Sequence, residues 1–290
     1  MKSIIEAYKN GWAFLFSKKK IGLLIYGLNF AFAALIAMPL HNYLHSTIET
    51  SLSSNNEFIK FSYTYINDFL QAHGSGLGVV YNTSIFILLI FFFIMVFVSG
   101  GIISIVLNKS SYQNFANFFQ GGAKYFWRFL RLDIYFIAIY ILLLFIAFKI
   151  FEAGGLSVFD MENETGIINR FYVVSICTTV ILFIFGIVHM YAKLFIAQSD
   201  KILIHQSIGE AFRFTFKNFF RVFLLAVLNL LVFAAIAGLY FWYRKHFHFS
   251  NSSILLLFIM GQLFILFRIA CRVVRYASYG EMVEKQNIAV

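Results

Sequence analysis

Two clusters of side chains have types and spacings that could do chemistry. The first is HNYLHSTIE, residues 41–49, in which His41 and His45 stand one helical turn apart and Glu49 follows after another turn. Imidazoles at this spacing can share a metal ion, and a carboxylate can add a ligand. The alternative is that both histidines only hydrogen-bond water or lipid headgroups. We favour it, because two imidazoles make an incomplete site and eight residues turn a helix by about 80°.

The second cluster is RIACRVVRYASYGE, residues 268–281, in which Arg268, Arg272 and Arg275 share one helix face. Guanidinium groups bind phosphate and carboxylate through paired hydrogen bonds, so this face could hold an anionic headgroup or another anion. Asp133 is the acid best placed to pair with Arg268, and Arg221 adds a further basic group. The alternative, which we favour, is that these arginines only anchor the chain at the inner surface of a membrane.

Recognisable catalytic motifs are missing from the sequence. It contains no HExxH, no GxSxG, no phosphate-cradling glycine loop and no paired catalytic carboxylates. We therefore expect no enzymatic activity and no cofactor. A membrane-embedded metalloenzyme would depend on His41 and His45 alone, completed by His246 and His248 only if the outer loops converge.

The elements that must position these residues are apolar runs of membrane-spanning length. The chain is 61% hydrophobic and 12% charged, against roughly 45–50% and 25% in soluble proteins, and its mean hydropathy is +0.80. A bilayer core about 30 Å thick needs about twenty apolar residues per helix. Six runs meet this length: about 21–40, 79–107, 132–151, 171–197, 219–242 and 253–276. The sequence predicts an all-α, polytopic bundle of six spans.

The distribution of lysine and arginine predicts the orientation of the spans. Eighteen of the 23 basic residues lie in the N-terminus, the loops after spans two and four, and the C-terminal tail, whereas seven of the 13 acids lie on the other side. Because basic loops stay in the cytoplasm, both termini should be cytoplasmic. The net charge of +10 then faces anionic lipid headgroups and does not indicate nucleic-acid binding.

Amphipathic stretches precede three of the spans. At residues 207–221, Ile208, Ala211, Phe212, Thr215, Phe216 and Phe219 recur at helical spacing opposite Glu210, Arg213, Lys217 and Arg221. The N-terminus repeats the plan with Ile5, Tyr8, Trp12 and Leu15. Tyr112, Phe115 and Phe119 repeat it again, before a break expected at Gly121 and Gly122. Each stretch predicts a helix lying on the membrane surface before the chain enters the bilayer.

The three stretches divide the single transmembrane domain, residues 1–290, into possible repeats 1–109, 110–206 and 207–290. Each repeat would be a surface helix followed by two spans that cross the membrane in opposite directions. The matches SIIEAYKN, NFANFFQ and SIGEAFRF suggest an old triplication. The alternative is that any membrane protein with short inner loops shows such amphipathic stretches.

A resemblance to known proteins is carried by HMYAKLFIAQSDKILIHQSIGEAFRFTFKNFFRVFLL, residues 189–225. Here a span runs into a loop, an alanine-containing surface helix, a lysine and an aromatic-basic start of the next span, at Ala211, Lys217, Phe219, Phe220 and Arg221. This pattern resembles the glycerophosphodiesterase membrane-domain and YciC-like families of bacterial membrane proteins. The resemblance implies a multi-pass protein of the bacterial cytoplasmic membrane, and it transfers no catalytic residue because the phosphodiesterase barrel is missing.

Two functions remain open at this point. The basic helix starts and the repeat narrowly favour a transport or lipid-handling protein that binds an amphipathic substrate and anionic headgroups on the cytoplasmic side. The plain apolar spans favour a non-catalytic scaffold or accessory subunit, for which the outer loop 41–78 could contact a protein partner. The sequence shows no coupling carboxylate in the middle of the membrane, which weakens the transport hypothesis.

Overall fold

The computed structural model describes residues 2–48, 63–108, 114–152, 164–199, 202–246 and 251–287. This part of the chain is helical, with short links and no strand. It contains eight helices: α1 Lys2–Ser17, α2 Lys19–Ile48, α3 Tyr63–Leu107, α4 Asn114–Glu152, α5 Glu164–Gln198, α6 Ile204–Lys217, α7 Phe219–His246 and α8 Asn251–Asn287. The prediction of an all-α, polytopic bundle is confirmed.

Six of the helices, α2, α3, α4, α5, α7 and α8, are long and apolar enough to cross a membrane, and they contain the six predicted runs. Only 6% to 33% of the residues in each apolar window are buried inside the protein. Exposed apolar side chains of this extent need lipid around them. The chain is therefore an integral membrane protein. The orientation of the termini stays a prediction.

The helices extend beyond the predicted spans at several ends. α2 continues past Pro39 to Ile48, and α3 begins at Tyr63, so both ends of the predicted outer loop 41–78 are helical. Residues 49–62 of that loop lie outside the described residues. In the second repeat, the expected break at Gly121 and Gly122 is wrong, because α4 runs without interruption from Asn114 to Glu152.

The described chain forms two compact units. The smaller unit, Leu23–Met95, consists of most of α2 and the first two thirds of α3, and the rings of Phe32 and Phe91 lie 5.2 Å apart within it. The larger unit, Met1–Gly22 and Val96–Val290, contains most of the buried side chains. Its core lies at the helix ends that the charge pattern predicts to be cytoplasmic.

α1 packs against α8 within the larger unit. Ile4, Ala7 and Leu15 are buried. At Gly11, a Cβ atom would lie only 2.9 Å from the Val274 carbonyl oxygen, so glycine permits this close approach. Ile5 was predicted on the apolar face but is 52% exposed. The buried face of α1 therefore centres on small residues.

α6 packs against α5 in a similar way. Its buried residues are Ser207, Ala211 and Thr215, which follow each other at intervals of one helical turn. Phe216, predicted on the apolar face, is exposed instead. Small side chains let helix backbones approach closely, and the Phe216 ring is left exposed.

The first part of α4, residues 114–131, packs against the end of α3. Gly100 lies against Gly121, since a Cβ atom on Gly100 would be 3.1 Å from the Gly121 carbonyl oxygen. Gly101 is covered by Phe118, and Phe97 covers Gly122. Gly100 and Gly101 thus permit close helix contact, and the glycine pair in α4 serves packing and not a break.

These three contacts have a cyclic order. α4 packs on the span before it, α3, and α6 packs on the span before it, α5, while α1 packs on the last span, α8. Each predicted repeat thus places its amphipathic segment against the second span of another repeat. The relation of the three repeats to one another stays a prediction.

Candidate functional site

A buried charged triad connects α4 and α5. The Oδ1 atom of Asp133 on α4 lies 2.6 Å from Nε2 of His189 and 2.7 Å from Nζ of Lys193, both on α5. Nζ of Lys193 also donates to Oδ2 of Asp133 at 3.0 Å. The Asp133 and Lys193 side chains are less than a tenth exposed. One carboxylate therefore bridges two donors inside a mostly apolar bundle.

The helices place these groups by simple periodicity. His189 and Lys193 are one turn apart on α5, so both point to the same side of that helix. They lie in the segment 187–197, where α5 is almost entirely buried. Asp133 lies among the buried residues Phe129, Leu132 and Phe136 of α4, and its neighbour Arg131 is exposed. The two buried faces bring the three polar groups together.

Aromatic rings surround the triad. The Phe136 ring stacks on the His189 ring with centroids 4.3 Å apart, and Nζ of Lys193 lies 5.7 Å from the centroid of Phe129. Both basic side chains therefore face an aromatic ring, which attracts positive charge. The rings also limit how these side chains can turn.

The C-terminal part of α8 lies beside the triad. Tyr276 is buried there, and the charges of Lys193, Arg272, Arg275 and Asp133 all act on its phenol. Tyr279, one turn nearer the C-terminus, stacks on Tyr191 of α5 with centroids 5.1 Å apart. The buried hydroxyl of Tyr191 has no hydrogen-bond partner among the described residues. Tyr276 thus links the predicted arginine face of α8 to the triad.

The predicted partner of Asp133 was wrong. Its carboxylate is paired with His189 and Lys193 and not with Arg268, whose side chain is exposed at the surface of α8. The physical reason is helix orientation, since Asp133 lies on the face of α4 that is turned to α5. Of the other predicted anion-binding residues, Arg272 is partly buried, while Arg275 and Arg221 are exposed.

Arg128 fixes the end of α5. Its guanidinium donates to the carbonyl oxygens of Ile196, Ser199 and Ile202, and the Tyr125 hydroxyl donates to the Ala197 carbonyl at 3.1 Å. The last carbonyls of a helix have no partner within it and attract a cation. Arg128 satisfies them and holds the link to α6, so it has a positioning role beside the triad.

The predicted metal site is not supported by the described part of the chain. The rings of His41 and His45 lie 5.8 Å apart on α2. Glu49 and His248 lie outside the described residues. Among the residues that are described, no three histidine, cysteine, aspartate or glutamate side chains lie close enough to hold a metal ion.

Sequence reasoning found Asp133 but missed the site as a whole. His189, which contacts Asp133, was not among the predicted site residues. Lys193 was counted only as a cytoplasmic positive charge. The available signal was the helical spacing of His189 and Lys193 in HMYAK, because a charged residue inside an apolar run needs a partner.

Comparison of the chain with protein-family models, with curated proteins and with solved structures finds no match. The resemblance to the glycerophosphodiesterase membrane-domain and YciC-like families stays a prediction.

Proposed function

We propose that this integral membrane protein is a transport or lipid-handling protein that binds an anionic amphiphile at its inner end. The observation that carries this proposal is the triad of Asp133, His189 and Lys193. Removing charges from water is expensive even when they are paired, and ionisable groups inside membrane helices therefore mark functional sites more often than structural ones. The triad supplies a buried and paired carboxylate of this kind.

The arginine face of α8 supports the choice of an anionic ligand. Arg268 and Arg275 are exposed. The charge of Arg272 interacts with the phenol of buried Tyr276, and the charges of Lys193 and Asp133 interact with the same phenol. An anionic headgroup held by these arginines would lie close to the triad. Guanidinium groups suit such a headgroup because they bind phosphate oxygens in pairs.

The surface helices support a position at an anionic leaflet. Arg213 and Lys217 of α6 are exposed beside Phe216, and Phe220 at the start of α7 is 84% exposed. α4 shows the same combination, with exposed Lys124, Trp127 and Arg131. Aromatic rings at the interface and basic side chains near headgroups hold a helix at the inner surface of a bacterial cytoplasmic membrane with both termini inside.

The alternative is a scaffold or accessory subunit. It is favoured by the apolar side chains that the spans leave exposed, such as Ile141, Leu142 and Phe145 on α4. Lipid tails or another membrane protein could cover them equally well. Native mass spectrometry distinguishes the two functions, because it detects both bound lipid and a bound protein.

The test is native mass spectrometry of the full chain, extracted gently from its own membrane, as wild type and as Arg268→Ala. We expect a stoichiometric anionic phospholipid on the wild type and a several-fold lower occupancy on Arg268→Ala. The matched control is Arg244→Ala, an exposed arginine on the predicted outer side, which should keep the lipid. Equal occupancy in all three would contradict the arginine site, and a bound second polypeptide in place of lipid would favour the accessory function.

A further inference from the structure

The charges of the triad balance when His189 is neutral. Asp133 carries one negative charge and Lys193 one positive charge. A carboxylate only accepts hydrogen bonds, so Nε2 of His189 carries the hydrogen that it donates to Asp133. Nδ1 of His189 then holds a lone pair, and it makes no hydrogen bond to a described residue. The ring can accept one proton there without breaking the contact with Asp133.

His189 is also the least buried member of the triad. Its side chain is 22% exposed, whereas those of Asp133 and Lys193 are 9% and 8% exposed. Histidine is the side chain that ordinarily changes charge between pH 5 and 8. The site therefore combines a partly exposed imidazole with a buried ion pair.

The surroundings of His189 have opposing effects on its charge, since burial and the Lys193 ammonium oppose an imidazolium and the Asp133 carboxylate favours it. The charges that act on it directly are Asp133 on α4 and Lys193 on α5. Around them, Tyr140 of α4 interacts with Asp133, and Tyr276 of α8 interacts with Asp133 and Lys193. The Phe136 ring, stacked on the imidazole at 4.3 Å, would stabilise an imidazolium through its π face.

We propose that Nδ1 of His189 is a proton-binding site whose proton is taken up together with a singly charged anionic amphiphile. This inference rests on the proposed function. With the proton bound, the triad carries a charge of +1 beside the arginine face of α8. An unbalanced charge in a weakly polar site is unfavourable, and a monoanion restores neutrality. Because linkage is reciprocal, the proton strengthens anion binding and the anion strengthens proton binding by the same factor.

The experiment measures anion affinity against pH. The probe is dihexanoyl phosphatidylglycerol, which stays a monoanion between pH 5 and 8, and the control ligand is dihexanoyl phosphatidylcholine, which has no net charge. We expect the wild type to bind phosphatidylglycerol more tightly as pH falls, by up to tenfold per pH unit, the limit for one linked proton. The affinity for phosphatidylcholine should not change with pH in this way.

The deciding variant is His189→Gln, because the glutamine amide can still donate to Asp133 but cannot take up a proton. The affinity of the His189→Gln variant for phosphatidylglycerol should be independent of pH. The matched control is His205→Gln, which makes the same replacement at an exposed position of α6 and should keep the wild-type slope. A wild-type slope in His189→Gln would overturn the inference.

A second measurement needs no variant. On adding phosphatidylglycerol to the wild-type protein in weak buffer at pH 7, a pH indicator should report proton uptake approaching one per bound lipid. Binding without proton uptake would overturn the proton site but leave the proposed function intact. No binding at any pH would contradict the proposed function itself, so the two failures are distinguishable.

Discussion

The Nζ atom of Lys193 lies 2.7 Å from Oδ1 of Asp133, with both side chains more than nine tenths buried between α4 and α5. Breaking a buried pair at one side leaves an unpaired charge in a weakly polar site and typically costs 3–5 kcal/mol. The contact therefore constrains the stability of the whole bundle as well as its chemistry.

Lys193→Met should lower the free energy of unfolding by about 3–5 kcal/mol, because the Asp133 carboxylate loses its cation. The double variant Asp133→Asn/Lys193→Met should recover a large part of this loss, since no unpaired charge remains. Unfolding in mixed detergent micelles measures both values. If the two residues were not coupled, the loss of unfolding free energy in the double variant would equal the sum of the losses in the two single variants.

Gly11→Ala should destabilise the contact between α1 and α8, because the added Cβ would meet the Val274 carbonyl oxygen at 2.9 Å. Overpacking typically costs 1–3 kcal/mol, against a gain of about 1 kcal/mol in helix propensity. The control is Gly209→Ala on α6, where nothing lies within 4 Å of the new atom. This variant should gain stability. The melting temperature should therefore fall in Gly11→Ala and rise in Gly209→Ala, and a shift in the same direction in both variants would refute the close approach.

Arg128→Ala should loosen the end of α5, because the carbonyls of Ile196, Ser199 and Ile202 lose a charged donor. We expect amide hydrogen exchange of residues 195–202 to accelerate about tenfold or more, corresponding to the 1.5–3 kcal/mol of a hydrogen bond to a charged group. Arg131→Ala removes an exposed arginine from the same helix and serves as the control. Similar acceleration in both variants would mean that general loss of charge is the cause.

Alkaline pH should weaken the docking of α1. Burial raises the pKa of Tyr8, opposed by its hydrogen bond with Trp12 and assisted by Cys271. Between the ordinary pKa of 10.0 and the raised value, the folded state holds a proton that the unfolded state has lost. Stability is thus unaffected below pH 10 and falls above it. Tyr8→Phe should reduce this fall in pH-dependent unfolding, and an unchanged profile would show that Tyr8 does not contribute.

The orientation can be tested with single cysteines in a chain whose Cys177 and Cys271 are replaced by serine. Ser53→Cys should react with an impermeant thiol reagent added outside intact cells, and Ser110→Cys should react only after the membrane is opened. These outcomes follow from the excess of lysine and arginine on one side of the spans. Reversed labelling would overturn the cytoplasmic position of both termini.

The fold was predictable because the apolar runs are long and unambiguous. Residues 219–242, for example, can satisfy all their backbone hydrogen bonds within a bilayer by forming a helix. The continuity of α4 through Gly121 and Gly122 was not predictable, since glycine weakens a helix by propensity alone. The compensating contacts with Gly100 and Phe97 are tertiary and appear only when α3 lies alongside.

The site was predictable only in part for the same reason. The sequence placed Asp133 near the inner end of a span, and it suggested Arg268 as partner from depth alone. Depth does not specify the direction in which a side chain points. The spacing of His189 and Lys193 could have indicated a polar face on α5, but the match between that face and Asp133 depends on how two helices are rotated.

The packing of α1 against α8 has a consequence for biosynthesis. Gly11 leaves the ribosome long before its contact Val274, and at 5–20 residues per second the interval is roughly 15–50 s. During this time Gly11 lacks the helix against which it packs, although α2 to α7 are already being inserted. A chain interrupted before α8 lacks the main packing partner of its first helix, so the incompletely covered N-terminal segment distinguishes an incomplete product from a finished one.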